Sequence, residues 1–248
     1  MATPPASVQR RRLLSAAACL LPLGCATPQF VPPPPGPIGP PRVRVGQRWR
    51  YETIDLYRRE KVGELAAQVI RAEPPSQPRS GGDTAASAPI VVALSDASGA
   101  PAGEERWARA WDVIVEPAYD AVQTFDRPMP LLPDRLEPGA ARNDASWYRV
   151  PHASGRLIWR QWLRAAGWER VAVPAGDFVA LRVERMIDFR HWDGWREWPQ
   201  RFDTVWYAPE VNRWVQRDWT GEYRWPGGRR PVVAYEDRVR WRLLDYRS

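Results

Sequence analysis

The chain is poor in the residues that most often carry chemistry. Its 248 residues include two cysteines, Cys19 and Cys25, and two histidines, His152 and His191. Two cysteines near one terminus cannot staple a body of this length, and there is no C-x-x-C pair for metal or redox work. Two histidines with no linking spacing give no zinc signature, so no metal is expected. G-x-G-x-x-G, a phosphate loop ending in Gly-Lys, H-E-x-x-H and G-x-S-x-G are all missing. No cofactor and no catalytic residue is therefore expected. Lysine is nearly absent too: Lys61 stands alone among arginines. The longest apolar run, Leu13 to Gly24, is 12 residues. A membrane span needs about 20.

What is present begins at the N-terminus. Arg10-Arg11-Arg12 leads into that apolar run, and Gly24-Cys25 follows. A basic region, a short apolar core and a small residue before a cut make an export leader. The segment resembles a bacterial lipoprotein signal peptide. In that class the cysteine after the cut carries diacylglycerol on sulfur and an acyl chain on its amine, which assigns lipidation to Cys25. Pro22 stands where the class prefers leucine. Ala26, in place of an aspartate, implies delivery to an outer membrane. The alternatives are plain secretion and a cytosolic chain with an apolar tail. Acyl chains would hold the body to a bilayer, each buried methylene contributing roughly 0.8 kcal/mol. The membrane, reached through this anchor, is thus the first expected partner.

Losing Arg10, Arg11 and Arg12 with the leader lowers the formal charge from +7 to +4. Arginine alternates with Asp and Glu along the rest, with no basic stripe, so nucleic acid is not an expected partner. The sequence divides into a leader (1–24), a lipidated cysteine with a Pro-rich linker (25–42) and one β domain (43–248). The linker holds Pro28, Pro32 to Pro35, Pro37, Pro40 and Pro41, which favour an extended, semi-rigid spacer. Mobile loops are expected near 73–89 and 95–104, and an irregular stretch over 126–145 around Pro128, Pro130, Pro133 and Pro138.

The body reads as all-β, or β-dominated α+β. Val239, Trp241 and Leu243 alternate with Arg238, Arg240 and Arg242, a period of two that no helix explains. In 178–189, Val179, Leu181, Val183, Ile187 and Phe189 share one parity, and Arg182, Glu184 and Asp188 the other. Residues 106–115 are ambiguous and lean to strand. Short strands without intervening helical patterns imply an antiparallel sheet.

Two hairpins stand out. Val173-Pro174-Ala175-Gly176-Asp177-Phe178 has Pro to preset the first corner and Gly to take positive φ. Trp206-Tyr207-Ala208-Pro209 opens a second turn, in which Asn212 tolerates a left-handed conformation. These V-P-A-G-x-F and W-Y-A-P segments resemble a group of uncharacterised secreted bacterial β-proteins, over roughly 146–246. The resemblance implies a curved antiparallel sheet closed like a half-barrel, akin to periplasmic lipoprotein carriers. It transfers no catalytic residue.

Fifteen tryptophans are many for this length. Trp192, Trp195 and Trp198, spaced by three around Gly194, are the candidate binding residues. They would form an exposed aromatic lip for sugar rings or acyl chains, or plug one end of the core. Arg190, Arg196 and Arg201 lie alongside as cation–π partners. Asp188 and His191 offer a carboxylate and an imidazole, but on a strand they point to opposite faces. The expected function is a lipid-anchored, non-enzymatic envelope protein binding an apolar or amphipathic ligand or a partner protein. The alternatives are a carbohydrate or peptidoglycan binder using the tryptophans, and a periplasmic hydrolase.

Overall fold

The computed structural model of the protein describes residues 29–73, 90–227 and 232–247. The leader, Cys25 and most of the 73–89 segment lie outside these residues. Fourteen strands occur: β1 (Phe30–Val31), β2 (Arg48–Asp55), β3 (Glu60–Ala72), β4 (Ile90–Asp96), β5 (Pro101–Arg109), β6 (Asp112–Glu116) and β7 (Gln123–Pro130); then β8 (Ala141–Arg149), β9 (Leu157–Val173), β10 (Gly176–Phe189), β11 (Glu197–Ala208), β12 (Arg213–Trp225), β13 (Val232–Tyr235) and β14 (Val239–Arg247). No helix occurs among the described residues.

All pairings are antiparallel. The order runs β9-β10-β11-β12-β14-β2-β3-β4-β5-β6-β7-β8, and β8 pairs back onto β9 from Ala141↔Arg164 to Tyr148↔Leu157. The curved sheet thus goes beyond a half-barrel and closes into a 12-stranded barrel. β1 and β13 are short additions on β9 and β12.

Closure at 12 strands creates a filling problem. With ordinary strand spacing and tilt such a barrel is roughly 24 Å across, against roughly 16 Å for eight strands. Small aliphatic residues cannot fill that width. The largest fully buried side chains are Trp49, Trp107, Trp111, Trp159, Trp168, Trp214, Arg201, Arg213, Arg217, Tyr51, Tyr148 and Tyr207. The six fully buried tryptophans among them answer to strand number; others, such as Trp162, Trp195 and Trp198, lie exposed and do not fill the interior. Each such ring covers about 150–250 Å².

The outer wall is wet. Arg164–Glu184, Arg50–Glu64 and Arg240–Asp218 pair across its strands. A lipid-facing barrel carries an apolar outer belt about 25 Å tall; here these ion pairs lie on the outer face, and large rings fill much of the interior. One apolar row interrupts the wall, where Trp162, Met186 and Phe202 are direct cross-strand neighbours and are exposed. No helix among the described residues is long and apolar enough to cross a membrane.

Several local expectations are corrected. The 95–104 loop is a hairpin: Asp96 ends β4, Pro101 begins β5, and Asp96 Oδ1 accepts from the Ser98 and Ala100 amides at 2.9 and 3.0 Å. The 126–145 stretch contains the end of β7 and the start of β8. Pro128 is tolerated because β7 pairs with β8 only at Thr124 and Phe125, so its missing N–H is not needed there. Residues 106–115 are strand, as they lean in sequence, but fall in two strands joined at Ala110-Trp111, with Trp111 at φ 62°.

The Pro-rich linker is the largest correction. Phe30 and Val31 pair with Glu169 and Trp168 on the part of β9 that β8 leaves unpaired. A Cβ on Gly167 would meet the Phe30 ring at 2.4 Å, so glycine is what lets the ring lie flat there. From there the chain passes along a groove with Ile38 packed on the core. It ends where Asn212 Oδ1 accepts from the Arg42 amide at 3.0 Å and Asn212 Nδ2 donates to the Arg42 carbonyl at 2.7 Å. Residues 30–42 are a strap across one barrel end, not a free spacer. Asn212 takes the left-handed conformation read for it, at φ 59°.

Candidate functional site

The strapped end is sealed by tryptophan. Trp49, Trp107, Trp111 and Trp214 meet edge-on or tilted, with centroids 5.1–6.2 Å apart. The Arg213 guanidinium lies 3.9 Å from the Trp214 centroid and 5.0 Å from those of Trp49 and Trp111. Its Nη2 donates to both oxygens of Glu105, at 2.8 and 2.7 Å. One ion pair is wrapped in rings.

The barrel's middle is polar. Arg185 on β10 faces Asp203 on β11 and is ion-paired to it. Arg217 on β12 reaches Asp203 at 2.7 Å and, across the interior, Glu116 on β6 at 2.6 Å. The Tyr119 hydroxyl donates to Asp203 at 2.7 Å. Burial works to raise the Asp203 carboxyl, but the charges of Arg185 and Arg217 outweigh it and hold the group far below the ordinary range. Two arginines and two carboxylates thus cross-brace opposite walls.

At the end away from the strap lies the candidate site. It is built from the 117–122 loop, the 190–196 loop and the 236–238 loop, where strands reverse. Arg201 on β11 is 1% exposed in its side chain. It contacts Asp120 at 2.8 Å and Glu236 at 2.5 Å, with its guanidinium over Tyr119 and Phe189 at 4.4 and 4.5 Å. Arg196 joins Glu236 at 3.0 Å and lies over the Tyr223 ring at 5.0 Å. His191 sits between Asp120 and Asp193, at 2.8 and 2.9 Å. Asp193 Oδ1 also accepts from the Trp195 and Arg196 amides at 3.0 and 3.2 Å, which fixes the loop as an Asx turn. Gly221 permits Glu236 to fold over β12, since a Cβ there would meet its carboxylate at 2.3 Å.

Burial raises the Asp120 carboxyl, but the His191 hydrogen bond and the Arg201 charge prevail and hold it well below the usual range. It is an ionised acceptor with no proton to give, which does not suit a general acid. Asp120, His191 and Glu236 bring ligand-type atoms within 4.8 Å of one another. Arg201 already neutralises both carboxylates, so a dication would have to displace it, and the donor set does not favour a metal.

The candidate tryptophans do not form one lip. Trp192 packs between the two histidines, with centroids 5.3 Å from His191 and 6.0 Å from His152. Trp195, 64% exposed, stacks on Trp225 at 6.4 Å with planes 26° apart. Trp198 is 73% exposed at φ 52° and makes no ring contact with the others among the described residues. None of the three plugs the core. Asp188 lies outside, 3.6 Å from Arg160, and does not meet His191. The carboxylate beside His191 is Asp120, from a distant loop.

Beside these groups lies a cleft of about 400 Å³, lined by Tyr119, Asp120, Arg196, Arg201, Tyr223 and Glu236 among others. Sequence reasoning missed the buried charges altogether. Their signal was parity: Arg185 sits on the apolar side of the β10 alternation.

No family model matches the chain, and no curated protein matches its sequence. Two solved structures are similar in shape. One, from Bacteroides fragilis, is described as an exported protein with YmcC-like fold; it is 14% identical, covers 83% of this chain and 97% of its own, and has a TM-score of 0.45. The other, from Parabacteroides distasonis, is described as a lipoprotein; it is 13% identical, covers 84% of this chain and 97% of its own, and has a TM-score of 0.39. What the site does has to be read from this chain's own residues.

Proposed function

We propose that the protein is a cell-envelope lipoprotein, held through Cys25 to a membrane that is the outer one where the cell has two. On this reading the barrel is a non-enzymatic binding module, and it engages a ligand or partner at the unstrapped rim. The observation that carries it is a contrast in filling. The interior is occupied by rings and ion pairs, whereas at the rim Trp195 and Trp225 are exposed and stacked on each other, and exposed Tyr235 lines the cleft. An acyl chain would have to displace the tryptophan cluster to enter at the strapped end. Arginine-paired carboxylates favour holding a ligand over transferring protons.

Two measurements test this reading. Palmitate labelling of the cells should mark the native chain and not Cys25→Ser. A photo-crosslinking amino acid placed at position 195 should capture an envelope component, and one at position 162 on the wall should not. Capture only at 162, or equal capture at both, counts against the rim.

A further inference from the structure

Resting on the rim reading, we infer that the cleft is a carbohydrate site. It takes one ring of an uncharged glycan, and the Trp195–Trp225 pair forms a platform for the adjoining ring.

The argument starts from charge. Two arginines, Arg196 and Arg201, face three carboxylates, Asp120, Glu236 and Asp237, around the cleft. A phosphate or sulfate would meet the carboxylates, and an amine would meet the arginines. A neutral ligand with many hydroxyls meets neither penalty. Each hydroxyl both donates and accepts, and here donors and acceptors alternate. Asp120 and Glu236 accept, while Arg196 and Arg201 donate in a fixed planar fork.

One donor at the cleft's wall is unpaired. Arg201 Nη1 is buried and has no hydrogen-bond partner among the described residues. A buried donor left unpaired is costly, so a ligand hydroxyl that displaced what covers this atom would gain the bond that folding left unmade. The apolar faces are also in place, since Tyr223, Tyr235, Trp219 and Trp241 line the same cleft. A volume near 400 Å³ falls in the range of about 300–1,000 Å³ seen for small-molecule sites. Residues 195 and 196 clasp the end of β12 as a unit, one ring on Trp225 and one guanidinium over Tyr223. The Asx turn at Asp193 holds that clasp before any ligand arrives.

Glycan of this kind has two sources in an envelope, the murein backbone and surface polysaccharide. The test uses the full chain in detergent, titrated by calorimetry with two neutral probes. A β-1,4 tetramer of N-acetylglucosamine stands for murein, and maltotetraose for neutral hexose polymer. Binding of the first alone points to murein, and of the second alone to surface polysaccharide; either supports the site. Trp195→Ala and Trp225→Ala should each weaken binding about tenfold, as expected for an exposed aromatic anchor. Trp162→Ala on the wall should leave it unchanged. Arg201→Lys, which keeps the charge and loses the fork, should weaken it about fivefold. If that variant melts early, the two exposed tryptophans carry the test.

The inference is overturned if neither tetramer binds, if Trp195→Ala and Trp225→Ala bind like the native chain, or if inorganic phosphate or choline binds as tightly as the sugars. A failure with sugars alongside specific crosslinking from position 195 discards the carbohydrate and keeps the rim. Failure of both discards the rim as well.

Discussion

The two ends of the barrel handle charge in opposite ways. At the strapped end a single pair, Arg213 and Glu105, sits at the tryptophan cluster, with three of its rings against the guanidinium, and makes no other ion pair among the described residues. From the middle to the open rim, charges form branched sets: Arg185, Arg217, Asp203 and Glu116, then Arg201, Arg196, Asp120 and Glu236. An isolated buried pair can be exchanged whole for apolar bulk by two substitutions. A branched set has to be replaced in all its members at once, because removing one strands several others. The difference separates the end that seals the fold from the end that can offer hydrogen bonds to something else.

The largest expected effect breaks the branched side. Asp203→Ala takes the ion-pair partner from Arg185 and leaves Arg217 with Glu116 alone, and uncompensated buried charge costs about 3–5 kcal/mol. Thermal melting should drop by roughly 10 °C or more.

Acid attacks the same region. Asp203 and Asp120 have folded-state values below the unfolded one, so their stabilisation is complete above about pH 4 and is lost as pH falls below that. Asp112 and Asp218 are raised, mainly by burial, and act in the opposite direction. The melting temperature should fall by several degrees between about pH 5 and pH 3. Asp203→Asn should flatten that slope, and a slope unchanged in the variant would remove Asp203 as its source.

A smaller effect tests the strap. Gly167→Val places a branched side chain where the Phe30 ring lies and should detach β1, at a cost of about 1–2 kcal/mol in lost packing. Limited proteolysis should then cut before residue 43 faster than in the native chain. The smallest effect sharpens the contrast. Replacing the enclosed pair together, Glu105→Leu with Arg213→Met, should change stability by less than about 1 kcal/mol or raise it. A denaturant titration showing a loss as large as that of Asp203→Ala would erase the distinction between the ends.

How much was legible follows the range of each interaction. The β14 alternation, the β10 alternation and the turns at Pro174 and Pro209 depend on neighbours a few residues apart, and all were readable. Trp111 in a left-handed turn was not, because its conformation is held by Trp107 and Trp214 rather than by any turn preference of its own. Pro128 in β7 was misleading for a similar reason: a truncated ladder excuses it. Closure through β8 and β9 is a global property that no local window contains. At the site, Asp193 and Arg196 lie beside His191 in sequence, while Asp120 and Glu236 come from loops far along the chain. Of the groups lining the cleft, only Arg196 and Arg201 were marked in advance; its rings, Tyr119, Trp219, Tyr223, Tyr235 and Trp241, were not read as part of a site.

The Phe30 latch also sets an altitude. With an acyl-glycerol on Cys25, five peptide units separate the lipid from the first docked residue, a reach of at most about 17 Å. On the proposed anchoring, the far opening of the barrel would then lie at most roughly 50 Å from the bilayer once strand length and tilt are added. Targets of such a rim would have to come close to the leaflet that holds it.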